Sequence, residues 1–168
     1  MIWKAFLPDY FFDRVWDITE EDISAIGVKL FLLDLDNTLS EHNGKVPCVE
    51  AVEWLQKLNG LGVDAVIVSN NTASRVKAFA DLLNLSYVCK AHKPFPGGFK
   101  AVIRRFGYSC AEVAVVGDQI YTDVLGGNLS KLKTILVRPI KPESGLFLWL
   151  KRLLEEPVLH KIKTMRRE

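Results

Sequence analysis

Several features that would assign this chain of 168 residues to a specialised class are missing. No uninterrupted apolar run approaches the roughly 20 residues that a membrane span needs, and the first residues lack the apolar core of a signal peptide. The three cysteines are odd in number, widely spaced and without a CxxC pair, which argues against a disulfide framework or a zinc site. We therefore expect a cytoplasmic protein.

Histidine is scarce, and charge is unevenly distributed. His42, His92 and His160 show no metal-ligand spacing; His92 could contact a substrate, the alternative being a surface histidine. Residues 1–130 contain 12 Lys and Arg against 16 Asp and Glu, whereas residues 131–168 contain 10 against 4. Such a basic segment commonly faces an anionic partner.

Short apolar runs rich in β-branched residues alternate with helical patterns from Lys29 onward. Strands are predicted near 29–35, 63–69, 86–90, 112–117 and 133–138, and helices near 48–59, 73–83, 97–106 and 121–129. This alternation predicts an α/β fold, a Rossmann-like three-layer sandwich with a five-stranded parallel sheet.

Helix-capping residues and glycines refine this prediction. A capping box at Thr19–Asp22 begins a short helix that Gly27 closes, and the last helix is short or ends at Gly126 and Gly127. We expect one domain over residues 1–142, with an N-terminal helical segment, and a basic amphipathic helical extension over 143–168.

Two aspartates follow the most apolar strand. Asp34 and Asp36 come directly after Leu30–Leu33, and period-two alternation sends both side chains to one face. Burying carboxylates costs several kcal/mol unless a cation or hydrogen bonds compensate. The pair suits a nucleophile with its acid/base partner beside a metal, and the alternative is a solvated Asp/Asn turn.

Three later segments favour the catalytic interpretation. Ser69 follows a second apolar run, Lys93 precedes Pro94, and Asp118 and Asp123 form a GDxxxxD pattern after a third run. In this order and spacing the segments resemble the four signature motifs of the haloacid-dehalogenase (HAD) superfamily of phosphohydrolases.

The resemblance implies a role for each residue. Asp34 would be the nucleophile, Asp36 the acid/base and Lys93 the cation that neutralises the phosphoryl group. Ser69 and the N–H of Asn70 would bind phosphoryl oxygens, although Ser69 also suits a helix cap or ST-turn. A Mg²⁺ cofactor would be held by Asp34, the main-chain carbonyl of Asp36 and Asp118, with Asp123 in support.

A narrower resemblance covers nearly the whole chain. The blocks at 6–10, 17–19, 66–71, 125–128 and 134–137 are similar to the YqeG-type (class IIIA) HAD phosphatases, a group similar to phosphatidylglycerophosphate phosphatases. Only 32 residues separate Asp36 from Ser69 and 23 separate Ser69 from Lys93, so no cap domain fits and the domain is a capless HAD fold.

Three functions stay open at this point. The first is a phosphatase acting on phosphatidylglycerophosphate or another membrane-presented phosphate, with the amphipathic segments after Gly145 and Pro157 facing an anionic membrane. For the first of these segments, a helix packed on the domain is the alternative. The other functions are a phosphatase of a soluble sugar or nucleotide phosphate and a catalytically idle binding domain. No nucleic-acid partner is expected, and the oligomeric state is open.

Overall fold

The computed structural model describes residues 2–141, which form a parallel sheet of six strands covered by helices. The strands are β1 (Tyr10–Phe12), β2 (Leu30–Leu33), β3 (Asp64–Val68), β4 (Ser86–Val88), β5 (Val113–Gly117) and β6 (Lys133–Val137). The α-helices are α1 (Glu20–Ile26), α2 (Val49–Gly60), α3 (Ala73–Leu83), α4 (Gly97–Phe106) and α5 (Leu125–Leu129). A π-helix covers Ile120–Val124, and 3-10 turns cover Ile2–Phe6, Val15–Asp17 and Cys110–Glu112. The predicted extension at 143–168 and its boundary at 142 lie outside the described residues.

The strand order puts β2 at the centre of the sheet. The order is β1-β6-β5-β2-β3-β4, and every pairing is parallel. Leu33 is level with Val116 of β5 and with Ile67 of β3. The carboxyl ends of these three strands therefore meet at one edge of the sheet, which is where open α/β sheets bind ligands.

Alternation along β2 separates two hydrophobic cores. Phe31 and Leu33 pack in the core formed with α1, α2 and α3, whereas Leu30 and Leu32 pack with Phe99 of α4 on the opposite face. All four β2 residues are fully buried. This arrangement confirms the predicted three-layer α/β architecture.

The strand count is six rather than the predicted five, because β1 was missed. Tyr10–Phe12 pairs with β6 at the edge of the sheet. The carboxylate of Asp9 secures it by accepting hydrogen bonds from the N–H and the hydroxyl of Thr134 at 2.8 and 3.1 Å. A run of three residues is too short for a period-two pattern to be recognised, so this long-range pairing left no local signal.

The predicted helix ends are mostly confirmed. The capping box joins Thr19 to Asp22, and Gly27 closes α1 in the left-handed region with φ of 71°. The helix near 121–129 begins as a π-helix, and α5 is short, as one of the two alternatives predicted, but it continues through both glycines to Leu129. A Cβ at Gly126 would lie 2.7 Å from Phe99, and one at Gly127 would lie 2.5 Å from Thr134. These glycines therefore allow close packing rather than ending the helix.

Among residues 2–141, no helix combines the length and apolar character that crossing a membrane requires.

Candidate active site

The carboxyl edge of the sheet carries a polar pocket of about 250 Å³. Asp34 leaves the end of β2 with its N–H bonded to the carbonyl of Val116, and Ser69 leaves the end of β3. The lining residues are Asp34, Asp36, His42, Ser69, Asn70, Asn71, Lys93, Gln119 and Thr122. The fold thus brings the residues predicted for nucleophile, acid/base and phosphate contacts to one pocket.

Three buried carboxylates meet below this pocket. Asp34, Asp118 and Asp123 each place one oxygen within 4.8 Å of the others. Asp118 and Asp123 are 2% and 1% exposed. Oxygen ligands are those that Mg²⁺ prefers, and like charges buried this closely favour a compensating cation. The donor set therefore fits a divalent metal.

Gly117 and the π-helix place Asp123 in this cluster. A Cβ at position 117 would lie 2.2 Å from Cγ and Oδ2 of Asp123, so only glycine leaves room for that carboxylate against the end of β5. Oδ2 of Asp123 also accepts a hydrogen bond from the N–H of Gln119 at 3.2 Å. π-Helical turns are often found at functional sites.

Lys93 bridges two of the carboxylates. Its Nζ lies 2.6 Å from Oδ1 of Asp34 and 2.6 Å from Oδ1 of Asp123, and its side chain is 3% exposed. The Asn70 side chain fixes the Lys93 backbone on both sides, accepting from its N–H at 2.7 Å and donating to its carbonyl at 3.0 Å. Burial alone would lower the pKa of Lys93, but Asp123 and Asp34 together raise it, which keeps the ammonium charged.

The nucleophile candidate has a perturbed carboxyl group. Burial raises the pKa of Asp34 to about 6; Lys93 opposes this rise, whereas the negative charges of Asp123 and Asp36 add to it. The ammonium of Lys93 is the one side-chain cation that contacts Asp34 within residues 2–141. A second cation here would stabilise the ionised, nucleophilic form of Asp34.

Asp36 lines the same pocket as Asp34 but is not part of the three-carboxylate cluster. Its Oδ1 accepts from the N–H of Asn43 at 3.0 Å and from Nη2 of Arg75 at 2.5 Å. Its Oδ2 accepts from Nδ2 of Asn71 at 2.8 Å and from Nε of Arg75 at 3.3 Å. Burial alone would raise the pKa of Asp36, but the bonds and charge of Arg75, with Asn43 and Asn71, lower it. The predicted metal contact of its main-chain carbonyl stays a prediction.

Ser69 forms the ST-turn that was one of the interpretations of its position. Its Oγ accepts a hydrogen bond from the N–H of Asn71 at 3.2 Å, which is an ST-turn, and Ser69 also lines the pocket. The N-cap of α3 is Thr72. The predicted phosphoryl contacts of Ser69 and of the Asn70 N–H stay predictions.

The sequence reasoning missed several residues of the pocket. Arg75, in the first turn of α3, contacts Asp36, while Gln119 and Thr122 line the pocket. His42 also lines it, whereas His92, considered as a substrate contact, is exposed and lies outside the lining set. The sequence offered one possible signal for Arg75. It lies in the first turn of the helix that follows Ser69, and helical side chains lean toward the helix N-terminus, here toward the strand end that carries Ser69. His160 lies outside the described residues.

Comparisons with known proteins agree with this geometry. A family model of haloacid dehalogenase-like hydrolases matches residues 41–130. "Probable phosphatase YqeG" of Bacillus subtilis (strain 168) is 36% identical over 163 residues, which cover 97% of this chain and 95% of that protein. The chain therefore belongs to the haloacid dehalogenase-like hydrolases. It is a phosphatase, and the predicted resemblance to YqeG-type proteins is confirmed.

Solved structures share the fold at low identity. The 3-deoxy-D-manno-octulosonate 8-phosphate phosphatase of Moraxella catarrhalis, in complex with magnesium, phosphate and KDO, is 16% identical, with a TM-score of 0.52 over 82% of this chain and 92% of that one. The cobalt-bound YrbI phosphatase of Haemophilus influenzae is 13% identical, with a TM-score of 0.54 over 66% and 68% of the two chains. A putative subfamily III A HAD hydrolase of Legionella pneumophila is 18% identical, with a TM-score of 0.50 over 58% and 59%.

Proposed function

We propose that this phosphatase is Mg²⁺-dependent and hydrolyses a phosphate monoester through an aspartyl-phosphate on Asp34. The observation that carries the proposal is that Asp34 lines a polar pocket, contacts a buried ammonium and lies close to two further carboxylates. Such a site neutralises the charge of a phosphoryl dianion while presenting an anionic nucleophile to it.

The proposed reaction has two displacements at phosphorus. In the first, a carboxylate oxygen of Asp34 bonds to phosphorus while the bond to the leaving alcohol oxygen breaks, and Asp36 gives that oxygen a proton. In the second, a water oxygen bonds to phosphorus while the bond from phosphorus to the Asp34 oxygen breaks, and Asp36 takes a proton from the water. The products are inorganic phosphate and the free Asp34 carboxylate. Lys93 neutralises the transferring group, and Ser69 with the Asn70 N–H donates to its oxygens.

Asp34, Asp118 and Asp123 are the carboxylates that would hold Mg²⁺, together with the main-chain carbonyl of Asp36. When bound, the ion supplies positive charge to the phosphoryl oxygens. The supporting observation is the chemistry of the donor set, in which three buried carboxylates lie close together and Lys93 contacts two of them, Asp34 and Asp123.

The test is phosphomonoesterase activity of the purified protein with Mg²⁺ and with a chelator, for the wild type and Asp34→Asn. Asparagine keeps the shape of the side chain but cannot accept a phosphoryl group, so turnover should vanish while the circular dichroism spectrum and the thermal midpoint stay in the native range. Hydrolysis by Asp34→Asn at the wild-type rate, or full activity in chelator, would refute the mechanism.

For the substrate, we propose a phosphate presented at an anionic membrane, with phosphatidylglycerophosphate as the first candidate. The pocket opens without a cap between Asp36 and Lys93, where the structure has only short loops, α2, β3, α3 and β4. An open pocket suits a phosphate carried by a larger surface, because a small ester would be poorly shielded from water.

The surface beside the pocket supports this proposal. Phe95 is 71% exposed, and one residue, Pro94, separates it from Lys93 in the chain, so the two Cα atoms lie within about 8 Å. Residues 82–111 contain five Lys and Arg and no Asp or Glu. Lys90 and Lys100, on either side of Phe95, are exposed. An exposed aromatic ring flanked by lysines suits the interface of an anionic bilayer.

The end of the described chain provides a second line of support. The N–H of Ile140 donates to the carbonyl of Asn37 at 3.1 Å, and the N–H of Lys141 donates to its side-chain Oδ1 at 3.2 Å. Asn37 follows Asp36 directly. The described chain therefore ends beside the residue that follows Asp36. Residues 142–168, which come next in the sequence, contain six Lys and Arg against four Asp and Glu.

The substrate test compares Phe95→Ser with a control variant, Leu82→Ser. Leu82 lies on α3 and is 62% exposed, so the control also replaces an exposed apolar side chain with serine. Burying part of a phenylalanine ring contributes about 1.4 kcal/mol, which is tenfold in binding. Phe95→Ser should therefore weaken binding to anionic vesicles about tenfold and lower hydrolysis of vesicle-borne phosphatidylglycerophosphate, leaving glycerol 3-phosphate hydrolysis unchanged. Equal efficiency on soluble esters, with vesicle binding independent of lipid charge and salt, would favour a soluble sugar or nucleotide phosphate instead.

A further inference from the structure

We infer that Arg75 is a positioning residue for Asp36, which it holds for the second displacement, the attack of water on the aspartyl-phosphate. The inference rests on the proposed function, because it assigns Arg75 a role in the reaction of Asp34 and Asp36. It concerns a side chain that lies outside the signature motifs and that the sequence did not single out.

The first argument is the geometry of the ion pair. Arg75 approaches Asp36 side-on, with Nη2 on Oδ1 at 2.5 Å and Nε on Oδ2 at 3.3 Å. Both side chains are mostly buried, at 19% and 13% exposure. A planar guanidinium bound through two N–H groups fixes the orientation of a carboxylate as well as its position, which a lysine cannot do.

The second argument is that Arg75 is itself held in place. Its Nη1 donates to the carbonyl of Gly44 at 2.9 Å, and its Cζ lies 5.1 Å from the ring centroid of Phe79, one helical turn along α3. Phe79 is 2% exposed and packs in the main core. The guanidinium thus links Asp36 and the loop that follows it to a rigid helix.

The third argument is the hydrogen-bond inventory of Asp36. An ionised carboxylate offers about four lone-pair sites, and Asp36 accepts four hydrogen bonds, two from Arg75 and one each from Asn43 and Asn71. Every partner is a donor, so these bonds hold the carboxylate of Asp36 in its ionised form. The ionised form is the one that takes a proton from water in the second displacement.

One of the four hydrogen bonds to Asp36 is clearly longer than the others. The bond from Nε of Arg75 to Oδ2 is 3.3 Å, against 2.8 Å for the bond from Asn71 to the same oxygen. The acceptor site that Nε of Arg75 occupies on Oδ2 is therefore the one from which exchange of a single bond would free Asp36 for the proton.

Pre-steady-state kinetics on p-nitrophenyl phosphate test the inference. Nitrophenolate leaves without needing a proton, so formation of the aspartyl-phosphate depends little on Asp36, whereas its hydrolysis depends on it fully. In Arg75→Met we expect a stoichiometric burst of nitrophenolate followed by steady turnover slowed about 10- to 100-fold. Because only the second displacement is slowed, kcat and KM should fall together and kcat/KM should change much less.

A double-mutant cycle separates this role from a general structural one. Asp36→Asn should also show the burst, and adding Arg75→Met to Asp36→Asn should slow turnover by less than about threefold, because Arg75 acts through Asp36. Lys77→Met is the matched control, since Lys77 lies on the same helix in an exposed pair with Asp81. It should behave as the wild type.

If Arg75→Met fails to fold, Arg75→Lys, which keeps the charge without the planar fork, should show a smaller burst and an intermediate rate. Unchanged kcat in both Arg75 variants would overturn the inference. So would equal losses of kcat and kcat/KM without a burst, or a loss that persists fully in the Asp36→Asn background. A normal rate and no burst in Asp36→Asn alone would instead refute the proposed acid/base residue, so the two failures are distinguishable.

Discussion

Adding a single methyl group at Gly117 should displace one carboxylate of the cluster formed by Asp34, Asp118 and Asp123. Gly117 ends β5 directly before Asp118, and an added Cβ would lie 2.2 Å from Cγ and Oδ2 of Asp123 and 2.7 Å from its Cβ. Asp123 is 1% exposed and bonded to Lys93 and to the N–H of Gln119. In Gly117→Ala its carboxylate must therefore leave its present position in the cluster.

The expected effects follow from that displacement. Overpacking a core site costs about 1–3 kcal/mol, so the free energy of unfolding should fall by about 2 kcal/mol. Misplacing a group that supports a metal costs about 10- to 100-fold in affinity, so the Mg²⁺ concentration for half-maximal activity should rise by that factor. Urea unfolding and a Mg²⁺ titration of phosphatase activity measure the two quantities.

Gly60→Ala is the matched control for this substitution. Gly60 ends α2, has nothing within 4 Å of an added Cβ, and tolerates alanine, the better helix former. It should leave the Mg²⁺ dependence unchanged. Wild-type stability together with wild-type Mg²⁺ dependence in Gly117→Ala would contradict the assignment of Asp123 to the metal cluster.

Three further predictions probe the site and the scaffold separately. Lys93→Met leaves Asp34 and Asp123 buried without their ammonium, so the free energy of unfolding measured in urea should fall by about 3–5 kcal/mol. Phosphatase activity should also vanish. A stable, active variant would refute the bridging role of Lys93. Thr19→Ala removes the N-cap of α1 and should cost about 1 kcal/mol without altering kcat/KM, whereas a changed kcat/KM would mean that α1 affects the pocket. Hydrogen bonds from Lys29 and Ser109 lower the pKa of Glu112 to about 2. The difference in the free energy of unfolding between wild type and Glu112→Gln should therefore be full above pH 4.5, the ordinary pKa, and should disappear as the pH falls toward 2. A difference that does not change with pH would contradict this linkage.

The sequence predicted those site residues whose positions depend on strand ends. Asp34, Ser69 and Asp118 each follow an apolar run, and parallel strands bring their carboxyl ends to one edge, so local pattern and topology together place them. Lys93 was predicted only through the order of the motifs, since a lysine before a proline has no pattern of its own. Its burial between two carboxylates required the structure.

The contact between Arg75 and Asp36 could not be predicted in the same way. It depends on how the loop from Asp36 to Gly44 folds back over α3, which is a tertiary feature without a periodic signal. β1 was missed for a related reason, because its pairing with β6 joins residues more than 120 positions apart in the chain. The helix with glycines at 126 and 127 was expected to be short or to end at them. It is short, five residues, but it includes both glycines, because close packing against Phe99 and Thr134 overrides their low helix propensity.

The most direct test of the account is to trap the aspartyl-phosphate. Asp36→Asn is incubated with Mg²⁺ and p-nitrophenyl phosphate and quenched in acid, and the acyl phosphate is located by borohydride reduction and peptide mass spectrometry. We expect close to one phosphoryl group per chain, on Asp34, and none in Asp34→Asn. Absence of a phosphorylated chain while nitrophenolate is released, or a phosphoryl group on any other residue, would contradict Asp34 as the nucleophile.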